Sequence, residues 1–467
     1  MKSLSILPYP PQLAILQLNG GILMKNLTEG KPLKLILQFA LPLFIGQLFQ
    51  LFYSLVDTRI VGETLGEAAL AAVGSTSTLS DLLMSLLIGT LNGFSIVIAT
   101  CFGAKNESNM KKSIAGTILF GTGMAIIISV LSLCFLTPLL QFLNISTDLL
   151  PNAKAYISVI LAGLVVGTLY NICASILRAI GDSFTPLLFL ILSTVLNIFL
   201  DYAFILYLHM GVAGAAHATV LAQAVSAVLC FLYMWKKYPS LHLCREDFHL
   251  NLEVCRRMLA TGSSMAFMSA FVQFGTFALQ TNINTFGTNI IVAHTAARKA
   301  SSIFMMPWSS LGATLATFCG QNLGAGKYSR IKTGLRDTTL ITWGWSLLVI
   351  LAANTIAPQM IQMITASSEP EIIETATLYL RVDTAFYFVP SVICLFRNAM
   401  QGFGDSKTPV FSSLLELLTK VVVAFLLAPV MGYWGIIICE PIAWIIMVIP
   451  LVVNTLRSPI FKKADAV

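Results

Sequence analysis

One segment that occurs twice decides the fold of this 467-residue chain. Arg178-Ala-Ile-Gly-Asp-Ser-Phe-Thr-Pro186 recurs 223 residues later as Gln401-Gly-Phe-Gly-Asp-Ser-Lys-Thr-Pro409. Gly is typical of a helix C-terminus, while Asp or Ser caps the following helix and Pro fits its first turn. Each copy therefore predicts a turn between two helices, at the same point in each half of the chain.

Two further pairs of segments match at nearly the same shift. Phe102-Gly-Ala-Lys105 resembles Leu323-Gly-Ala-Gly-Lys327, and His209-Met-Gly-Val-Ala-Gly214 resembles Val430-Met-Gly-Tyr-Trp-Gly435, both at a shift of 221. The shift covers six apolar stretches, an even number, so the two halves have the same orientation. The sequence therefore predicts a parallel repeat about an axis along the membrane normal.

The composition is that of a membrane protein. Apolar residues make up 57% of the chain and charged residues only 10%, against about 25% charged in a soluble domain. This excludes a soluble enzyme, a disordered protein and a nucleic-acid binder. The nine cysteines are scattered and form no C-x2-C pair, so neither a metal site nor a disulfide framework is expected.

Twelve apolar stretches are long enough to cross a bilayer, which takes about 20 residues. They lie near 33–60, 68–93, 114–139, 152–177, 185–207, 211–235, 259–286, 290–317, 335–358, 373–398, 408–430 and 434–456. The predicted fold is an all-α membrane protein of twelve transmembrane helices in two pseudo-symmetric six-helix lobes. The predicted segments are an N-terminal tail at 1–32, an N-lobe at 33–235, a linker at 236–258, a C-lobe at 259–456 and a C-terminal tail at 457–467. Met24 is an alternative start within the first tail.

The basic residues predict the orientation of the chain. Most of the 28 Lys and Arg residues lie at the termini or in the even-numbered breaks between spans, so the positive-inside rule places both termini in the cytoplasm. The net charge of +7 is thereby explained without a nucleic-acid partner. No Walker A sequence is present, so ATP is not the direct energy source. A six-plus-six chain of this kind works by alternating access around a site between its halves.

Carboxylates inside a membrane are costly and mark functional sites. Asp201 and Thr219 lie equally far from the turn between spans five and six, about 13 Å in from the outer end. Asn197 is one turn from Asp201 on the same face, and Asp57 lies near the outer end of span one. We therefore expect these four residues to meet, with the two carboxylates sharing a proton or a cation such as Na+. The alternative is that Asp57 and Asp201 pair with Arg59 or cap helix ends.

The corresponding positions of the second half carry different chemistry. The repeat aligns Asn197 with Lys420 and Thr219 with Glu440. Glu416, one turn before Lys420, is expected to pair with it as a structural lock, and Glu440 is a candidate to join that polar network.

Four other residues complete the candidates from the sequence. Asp383 is expected near the outer membrane interface, and Arg298 and Lys299 face either a cavity or the membrane surface. Pro42 lies inside span one and kinks it, so it is a candidate hinge that lets Asp57 move relative to spans five and six.

These residues resemble the multidrug and toxic compound extrusion (MATE) family. The resemblance rests on Leu55-Val-Asp-Thr58 followed by Val61-Gly62, the Gly-Ala-Lys loop after span two, the segment 178–186, and Leu196-Asn-Ile-Phe-Leu-Asp201. It runs from about Met24 to the C-terminus. It implies a monomeric twelve-helix transporter of the cytoplasmic (inner) membrane that exports drugs against a proton or sodium gradient without a cofactor.

The resemblance also implies roles for single residues. Family members carry a coupling Asp in span one, and the branch called DinF-like adds an Asn-x3-Asp on span five and a Thr on span six. The matching ion-coupling residues are Asp57, Asn197, Asp201 and Thr219. Residues that match the first-lobe cavity are Gln50, Tyr53 and Asn171. The NorM-like branch has an acid on span seven where this chain has Gln273, so the resemblance favours the DinF-like branch and coupling through the first lobe.

The sequence thus predicts a secondary active antiporter that exports amphipathic, cationic compounds in exchange for H+ or Na+. Ion binding at Asp57 and Asp201 biases the bent form of span one and promotes outward release of the substrate. One alternative is a flippase for lipid-linked precursors from the wider superfamily, which would show a more cationic central cavity. Another is a non-transporting receptor or scaffold, which would show no ion-dependent protection of the aspartates. No nucleophile–base pair or metal-ligand set lies in the spans, so an enzyme is not expected.

Overall fold

The computed structural model describes residues 26–142, 145–365 and 367–464, which fold almost entirely into α-helix and contain no β-strand. Most of the predicted N-terminal tail, including Met24, lies outside the described residues. The span-forming helices are α1 (Pro32–Leu65), α2 (Glu67–Gly103), α3 (Glu107–Cys134), α4 (Leu150–Ala179), α5 (Phe184–Tyr202), α6 (Gly211–Lys237), α7 (Leu252–Ile283), α8 (Thr288–Gly324), α9 (Tyr328–Thr355), α10a (Pro370–Ala385) with α10b (Phe388–Gly402), α11 (Lys407–Val422) and α12 (Tyr433–Arg457).

These helices agree with the predicted twelve spans. In the part of the chain that the structure describes, nine helices are long and apolar enough to cross a bilayer, and α10a with α10b forms a tenth, bent by 58°. The remaining two, α7 and α8, have 32 and 37 residues, which is ample length for a span. They are rich in Ser, Thr, Asn and Gln, so apolarity alone does not select them.

The helices are longer than the apolar stretches that predicted them. α2 continues to Gly103 rather than residue 93, and α8 to Gly324 rather than residue 317. α3 begins at Glu107 rather than residue 114, because the Asn106 side chain caps it by accepting from the Asn109 N–H at 3.0 Å. Hydropathy detects the part of a helix that suits a lipid environment, whereas capping and packing determine where the helix ends.

The repeat extends to the irregular parts of the helices. α5 continues into a π-helical turn at Ala203–Tyr207, and α11 continues into the equivalent turn at Val423–Leu427. The short helices Leu136–Phe142 and Ala357–Thr365 follow α3 and α9 at equivalent points. π-turns are rare and occur mostly at functional sites. Here they directly follow the polar positions that the sequence singles out on α5 and α11.

The two lobes approach closely where glycine replaces a side chain. α2 of the N-lobe packs against α7 and α8 of the C-lobe. A Cβ atom on Gly103 would overlap the carbonyl oxygen of Gln321, and one on Gly324 would overlap that of Thr100. Thr100 and Gln321 are themselves equivalent at the 221 shift, so the two contacts are related by the pseudo-symmetry. Close helix approach therefore explains the glycines of this repeated segment.

Helix α1 belongs to both lobes. Its first part places Ile36 and Phe39 in the apolar core of the C-lobe, whereas its last part places Ile60 and Val61 in an N-lobe cluster. Pro42 lies inside the helix between these two regions. A proline in a helix interior removes one backbone hydrogen bond, so α1 is weakened near the point where it passes from one lobe to the other.

The aspartate of each repeated turn caps the helix that follows. Asp182 accepts from the N–H and hydroxyl of Thr185 at 2.9 and 2.6 Å, and Asp405 does the same with Thr408 at 3.1 and 2.7 Å. Asp182 also accepts from the Tyr238 hydroxyl of the linker at 2.6 Å. Burial and the nearby carboxylate raise the pKa of Tyr238, so its hydroxyl keeps its proton and anchors the linker to the first-lobe turn.

Candidate ion-coupling site and second-lobe charge network

The four predicted coupling residues lie on three adjacent helices of the N-lobe. α5 packs against both α1 and α6. Asn197 and Asp201 are one turn apart on α5, and they are 2% and 0% exposed. Asp57 approaches them from α1 and Thr219 from α6. The structure therefore brings together four side chains that lie up to 162 residues apart in the sequence.

The amide of Asn197 joins α5 to α6. In the orientation that satisfies both of its partners, Nδ2 donates to Oδ2 of Asp201 at 3.0 Å and Oδ1 accepts from the backbone N–H of Thr219 at 3.1 Å. The Thr219 hydroxyl lies 3.2 Å from the hydroxyl of Tyr53 and 3.1 Å from the carbonyl oxygen of Ala215. Such a buried network fixes the orientation of each of its members, including the carboxyl group of Asp201.

The carboxyl groups of Asp57 and Asp201 lie within hydrogen-bonding reach of each other. A hydrogen bond between two carboxyl groups requires a proton on one of them, because two carboxylates repel. Oδ1 of Asp57 is buried and has no hydrogen-bond partner among the described residues. The alternative partner, Arg59, instead contacts Glu63 at 2.7 Å on the exposed face of α1. The aspartate pair is therefore without a basic partner among the residues that the structure describes, and its role in ion coupling stays a prediction.

Of the residues that the resemblance adds to the cavity, Tyr53 belongs to this hydrogen-bonded cluster, whereas Gln50 and Asn171 lie apart from it. Gln50 is exposed on α1, and Asn171 donates to the carbonyl oxygen of Gly167 within α4 at 2.9 Å. Tyr156 of α4, which sequence reasoning missed, lies close to both aspartates. Its only signal in the sequence is a tyrosine near the outer end of an apolar helix, which is also typical of an interface anchor. The cavity role of Gln50 and Asn171 stays a prediction.

The C-lobe contains a buried chain of charges that alternate in sign. Nζ of Lys420 lies 2.9 Å from Oε1 of Glu416 and 3.1 Å from Oε1 of Glu440. Arg397 extends the chain from Glu416 at 3.1 Å, and Arg298 extends it from Glu440 at 3.3 Å. Three cations and two anions from α8, α10b, α11 and α12 thus lie in one row. When all are ionised, the row has one positive charge in excess.

Lys420 contacts both of the other expected second-lobe residues, Glu416 and Glu440, but the sequence pattern did not reveal Arg397 at one end of the row. The signal that could have revealed Arg397 is its place inside an apolar stretch, because a buried guanidinium needs a carboxylate partner. Arg298, whose orientation the sequence left open, reaches Glu440 and lines a cleft together with Lys299.

The prediction that Asp383 lies at the membrane interface is wrong. Its side chain is 0% exposed and accepts from the hydroxyls of Ser301 at 3.0 Å and Tyr387 at 3.1 Å. Asp383 lies close to the middle of the predicted span 373–398, and the packing of α10a against α8 places its side chain inside the lobe. Gln273, the other second-lobe candidate, is half-buried on α7, and its role in a substrate cavity stays a prediction.

Comparison with known proteins agrees with this architecture. The MatE family model matches residues 42–203 and 264–426, once in each lobe. The chain is 28% identical over 316 residues to the probable multidrug resistance protein YpnP of Bacillus subtilis, covering 66% of this chain and 68% of that protein. It is 25% identical over 447 residues to the probable multidrug resistance protein NorM of Thermotoga maritima, covering 92% and 91%.

The fold also matches a solved structure. A crystal structure of a MATE protein in the bent conformation has a TM-score of 0.87 and 23% sequence identity, covering 94% of this chain and 98% of that chain. The family model itself accounts for more than half of the chain. The chain therefore belongs to the MATE family, whose members are membrane transporters and not enzymes.

Proposed function

We propose that this protein is a secondary active multidrug efflux antiporter that exports amphipathic, cationic compounds in exchange for H+ or Na+. The names of its relatives, which are probable multidrug resistance proteins, support drug export. The contact between Asp57 and Asp201 carries the coupling part of the proposal, because it needs a positive charge to be stable. One proton shared by the two carboxyl groups meets that need most simply, so we favour H+.

The way in which α1 packs in both lobes supports alternating access. With a proton on the pair, Asp57 of α1 stays bonded to Asp201 of α5. Without it, two carboxylates face each other and favour separation of the outer part of α1 from α5, or else the binding of a cationic substrate. Pro42, between the parts of α1 that pack in the two lobes, serves as the hinge. An ion that binds one conformation more tightly than the other shifts their populations, which couples proton entry to substrate release.

Transport in proteoliposomes of controlled orientation tests this function. Release of the cationic dye rhodamine 123 is followed under a pH gradient alone and then under a sodium gradient alone. We expect export under the pH gradient, and we expect Asp57→Asn and Asp201→Asn to abolish it. Glu63→Gln removes an exposed carboxylate from the same helix and should leave the rate unchanged. Wild-type rates in either aspartate variant, at equal amounts of folded protein, would refute the coupling role.

Coupling through the first lobe would place this chain in the DinF-like rather than the NorM-like branch. In support, the span-seven position that carries an acid in the second branch is Gln273 here. We further propose that the protein acts as a monomer in the cytoplasmic (inner) membrane with both termini in the cytoplasm. The distribution of its basic residues supports this orientation.

One observation favours the second candidate function, a flippase for lipid-linked precursors. Such a protein is expected to have a cationic cavity, and the C-lobe cleft is lined by Arg298 and Lys299. Dye transport under neither gradient, by intact purified protein, would favour the flippase over the antiporter.

A further inference from the structure

The C-lobe contains a cleft that the coupling mechanism does not use. It lies between α7, α8, α10a and α12 and has a volume of about 230 Å³. Its polar lining includes Thr276 and Gln280 of α7, Arg298 and Lys299 of α8, and Glu440 of α12. Pockets for whole drug-sized molecules measure about 300 Å³ or more, so this cleft suits one polar group of a ligand.

The cleft is the counterpart of the first-lobe cluster under the internal repeat. At the shift of 221 residues, which relates Gly66 to Gly287 as well as Thr100 to Gln321, Thr219 falls on Glu440, and Glu440 lines the cleft. At the same shift Asp57 of α1 falls on Ala278 of α7, so the C-lobe has no carboxylate at that position. The repeat has produced two polar sites at equivalent places, with different chemistry.

The C-lobe site has the opposite charge to the N-lobe site. Arg298 and Lys299 supply two positive charges, and Glu440 is the one acidic lining residue in the described part of the chain. Glu440 is also 3.1 Å from Lys420, which balances its charge from the interior. Asp383 does not line the cleft, but its charge interacts with that of Arg298. Even with Asp383 ionised, the three cations Arg298, Lys299 and Lys420 exceed the two carboxylates by one. The cleft therefore keeps a positive charge where the first-lobe site has two carboxyl groups.

The guanidinium of Arg298 is only partly satisfied by the protein. Nη1 lies 3.3 Å from one oxygen of Glu440, and the side chain is 35% exposed. That contact is long and involves a single pair of atoms, and Arg298 also contacts Tyr379 of α10a, which lines the cleft. A guanidinium has five N–H donors in a planar fork that matches the paired oxygens of a carboxylate or phosphate. Arg298 therefore has donors available at the cleft for a ligand that carries such a group.

We propose that this cleft binds the oxyanion of a transported compound, a carboxylate or phosphate group, through Arg298 with Lys299 at its rim. The proposal rests on the proposed function and narrows its substrate class. The preferred cargo is amphipathic and zwitterionic, with a cationic part that suits the aspartates of the N-lobe and an acidic group that suits the C-lobe.

Two dyes that differ in this one group test the proposal. Rhodamine 110 carries a free carboxylate, which is a methyl ester in rhodamine 123. Binding of each dye to purified protein in phosphatidylcholine nanodiscs is measured by fluorescence polarisation. We expect the wild-type protein to bind rhodamine 110 about tenfold more tightly than rhodamine 123, since charge-assisted bonds to a carboxylate are strong. Arg298→Gln should reduce this ratio to about one, whereas Arg381→Gln, an exposed arginine of α10a outside the cleft, should preserve it.

A second variant keeps the test decisive if Arg298→Gln does not fold. Gln280→Glu adds a carboxylate to the lining of the cleft, and it should lower the ratio by competing for Arg298. The proposal would be overturned if the wild-type protein did not prefer rhodamine 110 to rhodamine 123. It would also be overturned if folded Arg298→Gln or Gln280→Glu protein kept that preference. Loss of the preference in nanodiscs that contain phosphatidylglycerol would assign Arg298 to a lipid head group instead of the cargo. The assay uses no ion gradient, so its failure is distinct from a failure of the antiport test.

Discussion

Removal of the carboxylate of Glu416 should strongly destabilise the C-lobe. Glu416 lies between Arg397 and Lys420, whose side chains are 11% and 2% exposed. Glu416→Gln leaves three cations and one anion in the row, so its excess positive charge rises from one to two. Arg397 then has no ion-pair partner among the described residues, and its contact with the Ser412 hydroxyl is long at 3.5 Å. Breaking a buried ion pair from one side typically costs 3–5 kcal/mol, and because Gln still accepts a hydrogen bond we expect about 3 kcal/mol.

Thermal unfolding in detergent, followed with a thiol-reactive fluorescent dye, measures this loss. The buried cysteines Cys173, Cys230 and Cys319 become accessible only when the protein unfolds. We expect the midpoint for Glu416→Gln to fall by several degrees. The matched control is Glu63→Gln, whose ion pair with Arg59 is exposed on both sides, and it should leave the midpoint unchanged.

A compensating variant separates charge imbalance from a simple packing defect. Arg397→Gln combined with Glu416→Gln leaves two cations and one anion, which restores the original excess of one positive charge. The double variant should therefore be more stable than Glu416→Gln alone. The account of this charge row is refuted if the double variant is less stable than the wild type by the sum of the losses in the two single variants. It is also refuted if Glu416→Gln unfolds at the wild-type midpoint.

Three other predictions concern packing, capping and orientation. Gly103→Ala should lower the free energy of unfolding by about 2 kcal/mol or more, because the new Cβ overlaps backbone of the other lobe. The control Gly344→Ala, whose new Cβ meets nothing within 4 Å, should leave the stability unchanged. Equal thermal midpoints for the two variants would contradict this prediction. Asp182→Ala should lower stability by about 2 kcal/mol and Asp405→Ala by about 1 kcal/mol. The difference arises because, of these two caps, Asp182 is the one that also binds a tyrosine hydroxyl. A lower thermal midpoint for Asp405→Ala than for Asp182→Ala would contradict this prediction. A membrane-impermeant maleimide should label exposed Cys244 in inside-out vesicles and not in right-side-out ones, and the reverse pattern would invert the proposed topology.

The sequence by itself determined the architecture. Bilayer thickness sets the length of apolar stretch that a span requires, and together with the repeat this predicts twelve helices, although α7 and α8 are rich in polar residues. Similar segments recur at a constant shift, so the repeat predicts two similar lobes. The meeting of Asp201, Asn197 and Thr219 was also predictable, because two neighbouring antiparallel helices place residues equally far from their turn at the same depth. The helix ends were less predictable, since α2 and α8 extend well beyond their apolar parts.

Only the tertiary structure decided how distant helices combine. Asp383 lies near the middle of its span, but only the packing of α8 against α10a shows that the hydroxyls of Ser301 and Tyr387 bind it. Arg298 and Arg397 join Glu416, Lys420 and Glu440 because four helices converge at one depth. The resulting row balances charges that are separated by more than a hundred residues in the sequence. The net charge of a buried site depends on which side chains lie in it. Helix packing, rather than the local sequence pattern, decides which side chains those are.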